Sequence, residues 1–419
     1  MKIQAINGFK DILPADVSRW QYIERIARSV FERFGLREIR TPILEATELF
    51  VRSIGQATDV VEKEMYTFAD KGITMRPEGT ASIMRAFIEH GMHVQQPVHR
   101  LYTIGPMFRH ERPQKGRLRQ FHQLDAEVIG ADEAMVDAEL IAMADMLFTE
   151  LGLDVSLELN SLGCRECRPG YRKHLLRSLE TRQEDLCDDC RRRTTTNPLR
   201  VLDCKKAPCR QVAKDTPSLL EGLCTSCDAH FKEVRDALCL LDVPYTINRF
   251  MVRGLDYYTR TTFEFLTTDL GAQAAVGAGG RYDGLIEELG GPALPGVGFA
   301  MGMERIALLL EQQKKDIPGA AMDLFLATLG TAAARHAVLL ATHLRRAGAH
   351  IGMDHSGRGL KAQMKMAGRI NARRVLILGE NELEQGEAVL RDMRTQEQCP
   401  FPLTGDTTDQ AKALLQVIG

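Results

Sequence analysis

No stretch of the 419 residues approaches the ~18 consecutive apolar residues of a membrane span, which excludes a helical integral membrane protein. The N-terminus, Met1 to Asp11, has no apolar h-region and no cleavage-like small-residue site, so it does not read as a secretory signal and a cytoplasmic location is expected. An excess of positive charge is also missing: 54 Lys and Arg face 56 Asp and Glu, for a formal net charge of −2. Such a chain is not a general nucleic-acid coat, and any nucleic-acid contact must come from local patches. Repeats of solenoid period are absent. What remains is a globular composition, 44% hydrophobic and 26% charged, able to bury a sizeable core. The length suits two or three domains.

Texture divides the chain. From Ser18 to Phe34, apolar residues Trp20, Ile23, Ile26, Ala27, Val30 and Phe31 recur at helical period, and Gly35 follows as a stop. Two strand-like runs, Val98 to Phe108 and Phe121 to Ile129, flank Arg109 to Gln120, which is packed with Arg, Lys, Gln, Pro and Gly. That pattern predicts an antiparallel hairpin with a long basic tip. A Cys-rich stretch, 161–240, is poor in long apolar runs and reads as an insertion, because strand-and-glycine texture resumes at Tyr245 to Phe265. A helix is expected from Met301 to about Gln312. Gln312 to Met322, with Pro318 and Gly319, is a linker separating 1–320 from 322–419. The tail alternates a strand (Leu324 to Leu329), a helix (Ala333 to Ala347), a short strand (His350 to Met353), a helix (Leu360 to Arg373) and a buried strand (Arg374 to Leu378). This predicts a small α/β domain.

Three groups of residues carry chemistry. Arg109 ends the first hairpin strand, where a planar guanidinium on a rigid element suits bidentate phosphate binding. Beside it, Glu111 can accept from an amino group and Phe121 can cover a flat base. The tip's Arg112, Lys115, Arg117 and Arg119 suit either a nucleic-acid end or a solvated turn. Next, Gly298 to Arg305 is a small-residue strand-to-helix joint that lets the backbone approach a flat ligand, with Arg305 on the first turns of the helix. On its own, such a joint is often purely structural. Lastly, eight of the ten cysteines fall into four pairs: Cys164/Cys167, Cys187/Cys190, Cys204/Cys209 and Cys224/Cys227. Four pairs are the count for two closed tetrahedral Cys₄ zinc sites, which would stabilise a stretch short of apolar residues. Unliganded thiols are the alternative, and spacing does not fix which pairs combine. In the tail, Lys361, Lys365 and Arg369, with Arg358 just before, form a stripe suited to phosphate contacts or to a solvated face.

In this order, the hairpin resembles motif 2 of class II aminoacyl-tRNA synthetases, Gly298 to Arg305 resembles motif 3, and Arg37 to Pro42 (REIRTP) resembles motif 1. Within the class, Arg76 to Thr80 (RPEGT), Arg253 to Arg260 (RGLDYYTR) and Gly279 to Leu285 (GGRYDGL) resemble signatures of the histidyl-tRNA synthetase family. Similarity extends to Phe9 to Pro14 and to the tail. The resemblance implies an α+β fold: a class II catalytic domain, 1–320, built on a six- to seven-stranded, largely antiparallel sheet and interrupted by the Cys-rich insertion. A C-terminal α/β anticodon-binding domain, 322–419, follows. It implies a homodimer that activates histidine with ATP and Mg²⁺ and charges tRNA(His). By the same resemblance, Glu78, Thr80 and Gln123 hold the histidine ammonium, and Glu127 and Tyr258 read the imidazole. Tyr257 and Tyr282 either line the pocket or pack behind it. Arg109 contacts the α-phosphate, Arg117 and Arg305 the outer phosphates, Glu111 the adenine amino group, and Phe121 the base. Arg253 is the distinctive catalytic arginine, reaching both the histidine carboxylate and the α-phosphate. Arg112 and Gln114 are placed for the tRNA acceptor end. The alternative from another class is a non-catalytic, histidine-binding regulatory subunit, a reading that predicts loss of Arg253 or of the tail. Both are present.

Overall fold

A computed structural model describes residues 2–55, 58–252, 254–271, 275–315 and 322–418. The chain forms two compact units, Met1–Asp316 and Ile317–Gly419.

The first unit is built on an eight-stranded sheet. Its order is Arg37–Glu38, His99–Phe108, Gln120–Ile129, Gly296–Gly302, Ala275–Arg281, Thr259–Leu266, Ser156–Ser161, Thr246–Ile247. The six inner strands pair antiparallel. The two edge strands have two residues each and pair parallel. They raise the count above the expected six to seven, and so short a strand leaves no alternation to read. The hairpin is present as predicted, with the first residue of each strand one position from that expected. The leading helix is Pro14–Arg33, beginning earlier than Ser18 because Pro14 occupies the first turn, where its fixed φ favours helix entry. Its buried Ile23, Ala27, Val30 and Phe31 lie on one stripe.

The insertion departs from its apparent poverty in apolar residues. It folds as helices, Cys167–Glu180, Asp188–Thr196, Leu199–Leu202, Ala207–Lys214 and Thr225–Leu240. Tyr171, Leu175, Leu179, Val201 and Val212 join one core with Ile83, Phe87, Tyr257, Tyr258 and Tyr282. Scattered apolar residues at helical spacing do what a long run would do in a strand.

The second unit has a five-stranded sheet ordered Ile351–Met353, Met322–Leu329, Ala372–Gly379, Glu387–Asp392, Gln398–Pro402, of which the first three are parallel. Leu324 and Leu326 pack on the side of the helices Thr331–Arg346 and Thr407–Ile418. Phe325 and Ala327 pack on the opposite side, with Ala367. The helix expected to reach Arg373 ends at Arg369, because Asn371 takes a positive φ of 51° and the chain turns directly into the central strand.

One buried ion pair anchors the first unit. Arg281 is fully buried and donates to Asp137 at 2.6 Å, while a second nitrogen reaches Asp283 at 3.2 Å. Removing one partner strands the other charge without water, at a cost of about 3–5 kcal/mol. Asp137→Ala should therefore lower unfolding stability in denaturant by about that amount, whereas an unchanged midpoint would show that the pair contributes nothing.

Candidate active site

The site begins with Gln120–Ile129. Side chains two apart in a strand share a face, so Gln123, Asp125 and Glu127 line up on one side of the sheet. Across from them on the adjoining strand stand Gly302, Ala300 and Gly298. These residues are small because the carboxylates need the space: a Cβ on Gly298 would sit 1.6 Å from an oxygen of Glu127. The expected role of this joint in approaching a flat ligand is thus shared. Ala300 and Gly302 line the cavity, while Gly298 makes room for Glu127.

Glu78 completes the acidic end. Its oxygens accept the backbone N–H groups of Thr80 (2.9 Å) and Ala81 (2.8 Å), closing the first turn of the helix Thr80–Glu89. A carboxylate has about four lone-pair sites, so roughly half of its capacity remains. The Thr80 hydroxyl donates to Glu127 at 2.6 Å, and the Tyr282 hydroxyl donates to the other Glu127 oxygen at 2.6 Å. Asp125 is fully buried, and neither of its oxygens has a hydrogen-bond partner among the described residues. Burial holds all three carboxyls above the ordinary range. At Asp125 the charges of Glu127 and Glu78 add to the burial, against Arg76 and Arg109. Burial pushes Glu127 from 4.5 to about 8; hydrogen bonds from Thr80 and Tyr282 pull against it, and the Glu78 charge adds to it.

The other end is cationic. Arg109, anchored to the Pro77 carbonyl at 2.8 Å, lies with its guanidinium carbon 5.4 Å from the Phe121 ring centre. Glu111 pairs closely with Arg117 and lies 3.9 Å from Arg109. Arg305 is fixed by the Ala275 carbonyl at 2.5 Å, and burial lowers its pKa, with the Arg117 charge acting the same way. Glu304, on the same helical turn, accepts the His122 backbone N–H at 3.0 Å and ties that helix to the hairpin.

One cavity of about 260 Å³ collects Glu78, Thr80, Gln123, Tyr257 and Tyr258 with Arg109, Glu111, Arg117, Phe121 and Arg305. Glu127 stands one hydrogen bond behind Thr80 and does not line it. Tyr257 both lines the cavity and packs edge-on against Tyr282, whose ring lies behind. Arg112 is exposed outside it, and Gln114 borders a neighbouring hollow with Lys115 and Trp20. Arg253 lies outside the described residues; its neighbours Gly254 and Leu255 line the cavity. Asp125 and Glu304 were missed by sequence reading, although Gln123-x-Asp125-x-Glu127 has the period of one strand face.

The eight cysteines sort into two groups, Cys164/Cys167/Cys224/Cys227 and Cys187/Cys190/Cys204/Cys209, each with its sulfurs within 4.8 Å of one another. Cys164 Sγ lies 3.7 Å from Cys167 Sγ and 3.9 Å from Cys224 Sγ. A disulfide needs about 2.05 Å, whereas a tetrahedron with metal–sulfur bonds of about 2.3 Å has edges of about 3.8 Å. The thiols fit a tetrahedral metal.

Arginines aimed from an antiparallel hairpin, rather than a glycine-rich loop ahead of a parallel sheet, place the chain by fold among the class II aminoacyl-tRNA synthetases. Within that class it belongs to the histidyl-tRNA synthetase family, whose profile (Histidyl-tRNA synthetase) matches residues 8–306. A second profile, Anticodon binding domain, matches residues 323–405. The chain is 58% identical over 415 residues to a histidine–tRNA ligase of Desulfotalea psychrophila, covering 99% of this chain and 97% of that one. It is 56% identical to the histidine–tRNA ligase of Syntrophotalea carbinolica, covering 97% of each. The crystal structure of apo histidyl-tRNA synthetase from S. aureus superposes with a TM-score of 0.81 at 36% identity, covering both chains fully.

The raised Glu127 pKa has a signed consequence. Its contribution to stability is fully present below about pH 4.5 and is lost as pH rises through about 8. Glu127→Gln keeps the shape and removes the titration, so its denaturation midpoint should fall less steeply than wild type from about pH 5 to about 9. Parallel profiles would show that Glu127 ionises normally.

Proposed function

We propose that the chain activates L-histidine with ATP and Mg²⁺ to histidyl-adenylate and transfers the histidyl group to tRNA(His). The polarity of the single cavity, acidic at one end and arginine-rich at the other, carries this reading. An amino acid brings an ammonium to the acids, and a triphosphate brings its charge to the arginines.

At the acidic end, Glu78, Thr80 and Gln123 receive the ammonium. The Thr80 hydroxyl spends its proton on Glu127, so its lone pairs face the cation. Glu127 and Tyr258 read the imidazole: the phenol pairs with one nitrogen from the cavity wall, and the ring N–H must enter past Thr80 to reach a Glu127 lone pair that Thr80 and Tyr282 leave unused, which selects one tautomer. A pocket that pairs both nitrogens rejects analogues lacking them by up to ~10⁴-fold. Tyr257 forms the wall.

At the other end, the histidine carboxylate attacks the α-phosphorus of ATP, the bond to pyrophosphate breaks, and the mixed anhydride forms. Phosphoryl-type transfer needs charge neutralisation and alignment more than covalent help. Arg109 and Arg253 neutralise the α-phosphate, and Arg253 also orients the attacking carboxylate. Adenine slides over Phe121 in place of the Arg109 guanidinium, and its amino group takes Glu111 away from Arg117. Arg117 is thereby released to join Arg305 on the outer phosphates. The pairs seen at Glu111 and Phe121 support this exchange, since each holds a group that the nucleotide would need.

The tail, 322–419, reads the anticodon; Lys361, Lys365 and Arg369 are exposed on one helix face opposite buried Gln363 and Ala367. Arg112 and Gln114 meet the acceptor end. The enzyme is a homodimer joined through Arg37 to Pro42, which is followed by exposed Ile43 and Leu44. It works in the cytoplasm, and among the described residues no helix is long and apolar enough to cross a membrane. The eight clustered cysteines hold structural zinc. The regulatory-subunit alternative has no finding in its favour.

ATP–pyrophosphate exchange with each amino acid should respond to histidine alone, and exchange with any other amino acid would defeat the reading. Arg109→Gln and Arg253→His should each lower histidine-dependent exchange by about 10²–10³-fold, the usual cost of one preorganised charge donor. An unchanged rate would remove that residue from the chemistry.

A further inference from the structure

The two cysteine groups differ in what surrounds them. Cys187, Cys190, Cys204 and Cys209 lie along the insertion's middle helices, with Cys190 and Cys209 buried in the core that these helices share with Tyr257 and Tyr258. A backbone N–H from Cys187 points at Cys209 Sγ at 3.2 Å. The other group spans the insertion's two ends. Cys164 and Cys167 follow the sheet strand Ser156–Ser161, while Cys224 and Cys227 open the last helix, Thr225–Leu240. Here too a backbone N–H, from Cys224, meets a thiol, Cys167 Sγ, at 3.2 Å.

This second group adjoins the histidine end of the cavity. Directly before Cys164, the backbone of Leu162 and Gly163 clasps Arg260: Leu162 N–H donates to the Arg260 carbonyl at 2.7 Å, and Arg260 N–H donates to the Gly163 carbonyl at 2.9 Å. Arg260 is held there at a φ of 47°, a conformation that ordinary residues rarely adopt and that needs such support. Directly after Cys167, Arg168 donates to the Tyr258 carbonyl and, at 3.4 Å, to that of Leu162. Two hydrogen-bonding devices thus bracket Tyr258 and Thr259, and they flank Cys164 and Cys167 within Leu162 to Arg168. Tyr258 lines the cavity.

Resting on the histidine-activating reading above, we propose that the zinc site of Cys164, Cys167, Cys224 and Cys227 positions the histidine-recognising Tyr258 through Arg168 and the Leu162–Gly163 clasp, whereas no such clasp on the Tyr258 backbone runs from Cys187, Cys190, Cys204 and Cys209 among the described residues. Outer partners of a metal site commonly change affinity or activity by 10–100-fold. Arg168 is a positioning residue: it touches neither substrate nor metal and acts through the Tyr258 backbone.

The test combines elemental analysis of purified full-length chain with ATP–pyrophosphate exchange kinetics. Wild type should hold two zinc ions per chain. The double variant Cys164→Ser/Cys224→Ser should hold one and raise the KM for histidine by about tenfold or more, with the KM for ATP unchanged. Cys187→Ser/Cys204→Ser should also hold one, with both KM values unchanged. Arg168→Gln should keep both ions yet reproduce the histidine-specific KM rise, and it decides the matter if the first double variant does not fold. Fewer than two ions in wild type, an unchanged histidine KM in Arg168→Gln, or an equal rise for histidine and ATP would overturn the proposal. Those failures leave histidine activation intact. Wild type lacking histidine-dependent exchange would instead defeat the functional reading, and this inference with it.

Discussion

Two hydrogen bonds to Glu127 hold the site together. They come from Thr80, 47 residues away in sequence, and from Tyr282, 155 residues away, and both are 2.6 Å long. Through them the helix Thr80–Glu89, the hairpin strand Gln120–Ile129 and the segment following Ala275–Arg281 share one buried carboxyl. The arrangement is costly, because a buried carboxyl loses the water that would stabilise its charge. Asp125 and Glu78 repeat that cost close by. Three carboxyls held above their ordinary range form a region whose lowest-energy visitor is a cation, and the sheet's small residues at Gly298 and Ala300 exist to accommodate it.

The cationic end is built on the opposite logic. Arg109, Arg117 and Arg305 are mutually repulsive, and they are tolerated because Glu111 and the backbone carbonyls of Pro77 and Ala275 share the load. These partners are the kind that a nucleotide can displace: one carboxylate, one aromatic face and two carbonyls. Preorganisation here means that the charges are already assembled before substrate arrives. The insertion fits the same scheme, since Arg168, next to its first cysteine pair, holds the Tyr258 carbonyl and its apolar helices share a core with the pocket tyrosines.

Much of this was legible in the sequence, for identifiable reasons. Long inner strands and amphipathic helices announce themselves by period, so the hairpin and the strands and helices of the tail fell within a few residues of their observed bounds, while most of the expected linker, Gln312 to Met322, lies outside the described residues. The edge strands Arg37–Glu38 and Thr246–Ile247 are too short to carry a period. The insertion's helices were hidden because charged residues separate their apolar positions and no single run draws notice. Of the twelve histidine- and ATP-binding residues expected from the family resemblance, ten line one cavity, Glu127 stands behind it and Arg253 lies outside the described residues, yet Asp125 was passed over. It is the middle member of an alternating polar face, and only burial of both faces of Gln120–Ile129 reveals that such a face is costly. Glu304 was overlooked for a similar reason: its partner is a backbone N–H 182 residues away, which no local pattern records. Cysteine pairing was beyond spacing altogether, because each metal group joins pairs that only the fold brings together.

If the acidic end is a cation site kept partly protonated by burial, bound histidine must drive a proton out. Calorimetric titration of the full-length chain with histidine near pH 7, in buffers of different ionisation enthalpy, measures this directly. Net proton release, from Glu127 as histidine binds, is the expected result. Binding with no proton exchange, or with net uptake, would contradict it.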